Sequence, residues 1–328
     1  IGLAGQWLLY GDQQQVQSSI QPVLLRREQL APNPGTGNFV NAASSRFDTG
    51  LNIFVNKDGP GSTGLRAARV TGPGLPSAGV VLTRLDAAIC SNQNWMNLRR
   101  KDGLTDPASA TPSGNGGNRF YLQRSVGLAG SDATTRRANP FEGSANNTQF
   151  VNWAHPLDYG RSAGSNDYID FGPLRAMSTY TIEFFYDGQT DARYRYNKRI
   201  LTPVVPATSA VVQQWVQLDA ATRRLLDPAD ALAAAADSFT LSWTANPLAE
   251  TVASGGIYTF GAGLSVNQGA VAVTRGENSA VALAPSSATC GPATQFPALT
   301  GDGSSSRLIQ LRMRTLDASS KDSYTHFN

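Results

Sequence analysis

Apolar and polar residues alternate along most of this chain. Ser238 to Thr244 reads S-F-T-L-S-W-T, with Phe239, Leu241 and Trp243 on one side and Thr240, Ser242 and Thr244 on the other. A period of two over that length predicts a half-buried antiparallel strand. Ser178 to Tyr186 puts Tyr180, Ile182, Phe184 and Tyr186 on one face. Arg307 to Thr315 puts Ile309, Leu311 and Met313 inward, with Gln310, Arg312 and Arg314 outward. Further strands are predicted over 3–10, 23–26, 51–56, 65–71, 80–84, 119–126, 193–202, 211–218, 257–260, 264–274 and 280–283. Gly, Pro, Asn and Asp punctuate them at short intervals, as at Lys57-Asp58-Gly59-Pro60-Gly61 and Thr71-Gly72-Pro73-Gly74. One short helix is predicted over 229–236, where Asp227 can cap and Pro228 suits the first helical position.

Two stretches share a plan. Tyr180–Thr202 reads strand, polar turn, strand, and Leu308–Phe327 repeats it. Each predicts the closing hairpin of a β-sandwich. The first is followed by Thr202-Pro203-Val204-Val205-Pro206-Ala207, a stiff linker. The expected fold is all-β, with two tandem antiparallel β-sandwich domains over 1–205 and 206–328. The second domain has the length of one seven-stranded sandwich and holds the short helix. The first carries long loops over 105–118 and 130–170, both poor in aliphatic residues.

Composition changes the picture in two ways. Only 16% of residues are charged, too few for a coiled coil or long solvated helices. The net charge of +3 does not by itself imply a nucleic-acid binder. A surface rich in Ser, Thr, Asn, Gln and Gly matches exported bacterial proteins, which predicts a secreted or cell-surface location. No run reaches the ~18 apolar residues that span a bilayer, so no membrane span is expected. The numbering opens at Ile1 without a charged n-region, and any signal peptide is expected to be absent from it. Cys90 and Cys290 sit in polar, turn-like contexts. In an exported protein they are expected to pair, closing a loop of about 200 residues worth ~4–5 kcal/mol in the chain-entropy model.

The second domain resembles the fibronectin type III and immunoglobulin-like modules of bacterial extracellular proteins. The residues that carry this are Leu241-Ser242-Trp243 on an early strand and the closing hairpin from Leu308. The resemblance implies a sandwich fold that hosts adhesion, carbohydrate binding, assembly or spacing, and it implies no particular one of these.

Catalytic motifs fail on context. Gly59 to Gly64 matches GxGxxG, but Leu65-Arg66-Ala67-Ala68-Arg69-Val70-Thr71 reads as a strand where a dinucleotide site needs a helix. A hairpin turn is expected there instead. Gly160-Arg161-Ser162-Ala163-Gly164 matches GxSxG without the flanking strand and helix of a nucleophile elbow. His155 and His326 are too few for a histidine metal site, and acidic residues form no paired-carboxylate cluster. Asp187, Asp191 and Asp302 read as Asx turns rather than calcium ligands. No cofactor and no metal are expected.

The stretch 146–171 mixes aromatic and polar residues. Trp153, Tyr159 and Tyr168 stand with His155, Asp158 and Asp167, groups that stack on and hydrogen-bond to sugar rings. Trp95 in Ser91-Asn92-Gln93-Asn94-Trp95 joins them as a candidate carbohydrate contact. The competing reading is that these aromatics anchor long loops. Arginine pairs such as Arg26-Arg27 and Arg136-Arg137 are widely spaced and interleaved with acids, which argues against nucleic acid. The opening Trp7, Leu8, Leu9 and Tyr10 form an apolar strand able to add to a sheet edge. The function expected from all this is a non-enzymatic, exported structural or adhesion protein that self-associates or binds other surface proteins. The alternative is a polysaccharide-binding protein using 146–171.

Overall fold

The computed structural model describes residues 16–29, 46–87, 94–99, 106–112, 117–125, 150–152, 171–207, 209–244, 246–260, 266–272, 280–283, 295–302, 305–314 and 319–326. Within these the protein is all-β, with antiparallel sheets and very little helix. The first half holds β1 (Ser18–Gln29), β2 (Arg46–Val55), β3 (Leu65–Thr71), β4 (Val80–Thr83), β5 (Asn97–Leu98), β6 (Arg119–Ser125), β7 (Phe150–Asn152), β8 (Thr179–Tyr186) and β9 (Tyr194–Arg199). The second holds α1 (Ser209–Val212), β10 (Gln217–Leu218), α2 (Ala220–Arg224), β11 (Phe239–Thr244), β12 (Val252–Phe260), β13 (Val266–Ala272), β14 (Ala280–Leu283), β15 (Ser306–Arg314) and β16 (Ser319–His326).

These strands form three sheets. Eight run in the order β13-β12-β15-β16-β1-β2-β6-β7, five in the order β5-β4-β3-β8-β9, and three in the order β10-β11-β14. Every pairing is antiparallel except β1 with β16, which run parallel from Val23 beside Ser319 to Gln29 beside Thr325. No helix among the described residues is long and apolar enough to cross a membrane.

Alternation produces two cores on one side of the eight-stranded sheet. Ile20, Leu51, Ile53 and Phe120 meet Leu65, Val70, Leu82, Ile182 and Phe184 of the five-stranded sheet in the first. Leu24, Phe47, Ile309, Leu311 and Met313 meet Trp215, Leu241, Trp243 and Phe296 in the second. Burying one such side chain contributes about 1.5–3 kcal/mol. The chain passes from one core to the other between Val204, in the first, and Val205, packed on the second. β1 and β2 serve both, with Ile20 and Ile53 in the first core and Leu24 and Phe47 in the second.

The largest sheet therefore runs through the boundary expected at residue 205. β16 lies beside β1, so more than the 202–207 linker joins the two halves. The two closing hairpins are present as β8–β9 and β15–β16. Local structure departs from expectation in three places. The helix expected over 229–236 is a single 3-10 turn, Ala231–Ala233, capped by Asp230. Asp227 accepts from the Ala229 amide at 3.0 Å and so makes a turn instead of a cap. The strand expected over 211–218 is confined to β10, because the Trp215 Nε1 donates to the Ala210 carbonyl at 2.9 Å and folds the segment back behind α1. The glycine-rich 59–64 segment links β2 to β3, which lie in different sheets, so it is a crossover and not a hairpin turn. Gly61 and Gly64 take φ of 73° and 71° there, a conformation that favours glycine.

Candidate functional site

Of the carbohydrate contacts expected from the sequence, the described residues include Trp95. Trp153, His155, Asp158, Tyr159, Asp167 and Tyr168 lie outside them. So do Trp7, Leu8, Leu9 and Tyr10, and both Cys90 and Cys290. Trp95 bridges its backbone to Asn56, and its indole Nε1 is buried without a hydrogen-bond partner. The neighbouring 57–65 crossover is held by Arg84, which donates to the carbonyls of Lys57 at 2.8 Å, Ser62 at 2.9 Å and Leu65 at 3.2 Å. The Tyr186 hydroxyl donates to the Gly61 carbonyl at 2.6 Å. Trp95 thus stands beside a fixed loop with its one polar atom turned away from water.

Three polar clusters elsewhere are saturated by their own partners. On the outer face of the five-stranded sheet, Glu183 sits between Arg69 and Arg195 in register. Arg69 Nε donates to Glu183 Oε2 at 2.7 Å, and Arg195 Nη2 donates to Oε1 at 2.5 Å. Burial alone would raise the Glu183 carboxyl, but hydrogen bonds from Arg195 and Arg69 and their charges hold it below the ordinary carboxylate range. Asp219 caps α2, accepting from the Thr222 amide at 2.8 Å and from the Ser242 hydroxyl. Burial opposes ionisation of Asp219, and those hydrogen bonds outweigh it, so its carboxyl lies below the usual range. A carboxylate held ionised and filled with donors is a poor general base.

The third cluster surrounds Arg307, which is fully buried in the second core. Its Nε donates to Thr259 Oγ1 at 3.0 Å. Its Nη1 donates to the Leu225 carbonyl at 2.8 Å, and its Nη2 to the carbonyls of Pro297 at 2.8 Å and Ala233 at 3.3 Å. Phe239 lies under the guanidinium at 4.6 Å. Desolvation pushes Arg307 down to about 10. Among the described residues no group of three or more His, Cys, Asp and Glu is placed to hold a metal ion.

The face of the eight-stranded sheet turned away from both cores is different. Alternation sends Arg26 inward, over the Trp215 ring at 5.4 Å, and Arg27 outward. Register then places Arg46 beside Arg27, Arg119 beside Asn52 and Arg124 beside Asp48. Arg312 on β15 faces the same way. Asp48 is the one acidic position on this face among the described strands. Val23, Leu25 and Asp48 form a buried strip at its middle, flanked by half-buried Gln21, Asn52, Arg119, Tyr258 and Arg312.

Arg312 Nη2 donates to Gln21 Oε1 at 3.1 Å, across the intervening strand β16. Burial pushes the Tyr258 hydroxyl up, while the charges of Arg119 and Arg312 pull the other way.

The sequence carried part of this signal. The alternation in β15 put Arg312 and Arg314 outward, but strand order, which gathers residues from 21 to 312 on one face, is not written in any single strand. Arg307 was missed, although the same alternation puts it in line with Ile309, Leu311 and Met313, a signal that could have found it. No protein-family model matches this chain, and no curated protein or solved structure resembles it significantly.

Proposed function

We propose that this chain is an exported, non-enzymatic structural or adhesion protein of the bacterial cell surface that assembles with copies of itself. Its two cores correspond, in this reading, to two immunoglobulin-like sandwich units, and Cys90 pairs with Cys290 outside the cell. The observation that carries the assembly is the contrast between two edge strands. β13 ends the eight-stranded sheet among the described strands and reads V-N-Q-G-A-V-A, with no charge and no proline. β9 ends the five-stranded sheet and reads Y-R-Y-N-K-R. Charged residues are the common means of keeping an edge from pairing, and β13 has none of them. An unguarded edge adds a strand from another chain through main-chain hydrogen bonds.

Electron microscopy and sedimentation of the purified chain test this. Higher-order particles, filaments or layers are expected, and Gln268→Lys with Asn267→Lys is expected to shift the chain to monomer while keeping its thermal midpoint. A wild-type chain that stays monomeric at high concentration refutes the assembly. Non-reducing mass analysis checks the disulfide, and two free thiols in oxidised material refute it.

A further inference from the structure

We propose that β9, the edge of the five-stranded sheet, takes up an acidic extended segment of another protein as an added strand. The inference goes beyond self-assembly and uses a different edge, so it stands or falls apart from β13.

The main chain of β9 is open on one side among the described strands. β9 pairs with β8 and with no other of them. Just past its end, the Ile200 amide donates to the Ser178 carbonyl at 3.2 Å, so Ile200 faces β8. Antiparallel ladders alternate, so Tyr194, Tyr196 and Lys198 share that direction. Arg195, Asn197 and Arg199 turn their amides and carbonyls to the other side. All three are exposed, and the Arg195 side chain is 66% exposed. Main-chain groups open to water along a sheet edge are what an incoming strand bonds to.

The side chains select which strand fits. Residues 193–199 hold Arg193, Arg195, Lys198 and Arg199 and no acid. The acids nearest in sequence, Asp187 and Asp191, precede them in the turn from β8. The carboxylate in register with Arg195, Glu183, is buried and already filled by Arg69 and Arg195. A second copy of β9 is therefore repelled, and a strand of opposite sign is not. Lysine, flexible and strongly hydrated, is the usual guard of an edge, yet three of these four are arginines, whose planar forks match carboxylates. Glu183 engages Arg195 through Nε and Nη2, which fixes the fork and leaves Nη1 over. Thr181 Oγ1 donates to Asn197 Oδ1 at 3.0 Å, which leaves the Asn197 Nδ2 over. Arg195, Asn197 and Arg199 follow one another on the outer face at steps of about 7 Å, the spacing of alternate residues in a strand. An incoming strand with acidic side chains at alternate positions sets carboxylates beside both arginines.

The test uses the full chain and a labelled Thr-Glu repeat peptide, whose glutamates share one face when extended, with fluorescence anisotropy at low salt as the readout. The repeat is expected to bind, and a Thr-Lys repeat is not. N-methylation of the glutamates keeps every charge but removes main-chain donors, and it is expected to weaken binding by roughly tenfold or more. Arg199→Glu turns an attraction into a repulsion and is expected to weaken binding by about tenfold. Arg224→Gln, in an ion pair with Asp230 on the cover of the second core, is expected to leave binding within about twofold, as a charge distant from the ligand is largely screened. If Arg199→Glu does not fold, the N-methylated repeat on the unaltered chain carries the test. Any of four results overturns the proposal: no binding of the repeat, undiminished binding after N-methylation, equal weakening by Arg199→Glu and Arg224→Gln, or tighter binding of duplex DNA than of the repeat. A chain that stays monomeric but binds the repeat removes the self-assembly and leaves this site standing.

Discussion

The two cores share a sheet but are closed in different ways. The first is covered by the five-stranded sheet, whose backbone groups pair among themselves, and its buried cluster is made of aliphatic and aromatic side chains. The second is covered by three strands, two short helices, a 3-10 turn and the extended piece around Phe296. Irregular chain leaves carbonyls that no neighbouring strand satisfies. Arg307 supplies the donors for Leu225 and Pro297, and a second one for Ala233, whose carbonyl also accepts from the Leu299 amide at 2.9 Å. A buried polar group without a partner costs about 1–3 kcal/mol, so a cover of this kind needs a donor brought from the sheet below. A charge inside an apolar core here marks where regular pairing stops.

The largest effect is expected from the first core. Phe184 is fully buried at its centre, and Phe184→Ala should cost about 4 kcal/mol through lost contacts and a residual cavity. Because β1 and β2 line both cores, hydrogen exchange in β11 and β15 should accelerate together with that in β8. Unchanged protection of β11 would show that the cores open separately.

Arg307→Met should cost somewhat less, about 3 kcal/mol, since the apolar stem is kept and the carbonyl donors are lost. Denaturant titration gives the midpoint. Arg307→Lys keeps a cation but not the fork, so it should recover only part of the loss. A fully stable Arg307→Met chain would mean that the irregular cover satisfies itself.

The smallest effect concerns Glu183, whose arginines are partly solvated. Glu183→Gln should cost about 1 kcal/mol at neutral pH, as the charge-assisted bonds are weakened by solvent. Its folded carboxyl lies below its unfolded value. As pH falls, the unfolded chain takes up the proton first. The stability contributed by Glu183 is therefore complete above the ordinary carboxylate range and is lost as pH falls through it towards the folded value. Glu183→Gln should flatten that acid limb, and an acid limb identical to wild type would show that other carboxylates set it.

Much of the fold was legible because alternation is a local property. The runs at 65–71 and 280–283 became strands with those bounds, and the run at 238–244 became a strand one residue shorter at its start. The face expected of Tyr180, Ile182, Phe184 and Tyr186 is buried in the first core. Short helices were not legible, because α2 is fixed by Asp219 meeting Ser242 across the β10–β11 pairing, a contact with no period. The basic face was hidden for another reason. Arg26 and Arg27 are adjacent in sequence and point to opposite sides of the sheet, so a pair read as one patch contributes half to each.

The pairing of β1 with β16 also sets a schedule for folding. The hydrogen bond between Gln21 and Arg312 spans 291 positions of chain. Contacts of that separation are slow to form, because chain entropy must be lost before they contribute. During synthesis, β1 has β2 beside it from the start, but its other side stays open until β16 arrives. For that interval it exposes main-chain groups along Val23 to Gln29, a stretch that carries Arg26, Arg27 and Glu28 in its second half. Charges placed on the last edge to be filled keep the unfinished chain from pairing with its neighbours while it waits for its own end.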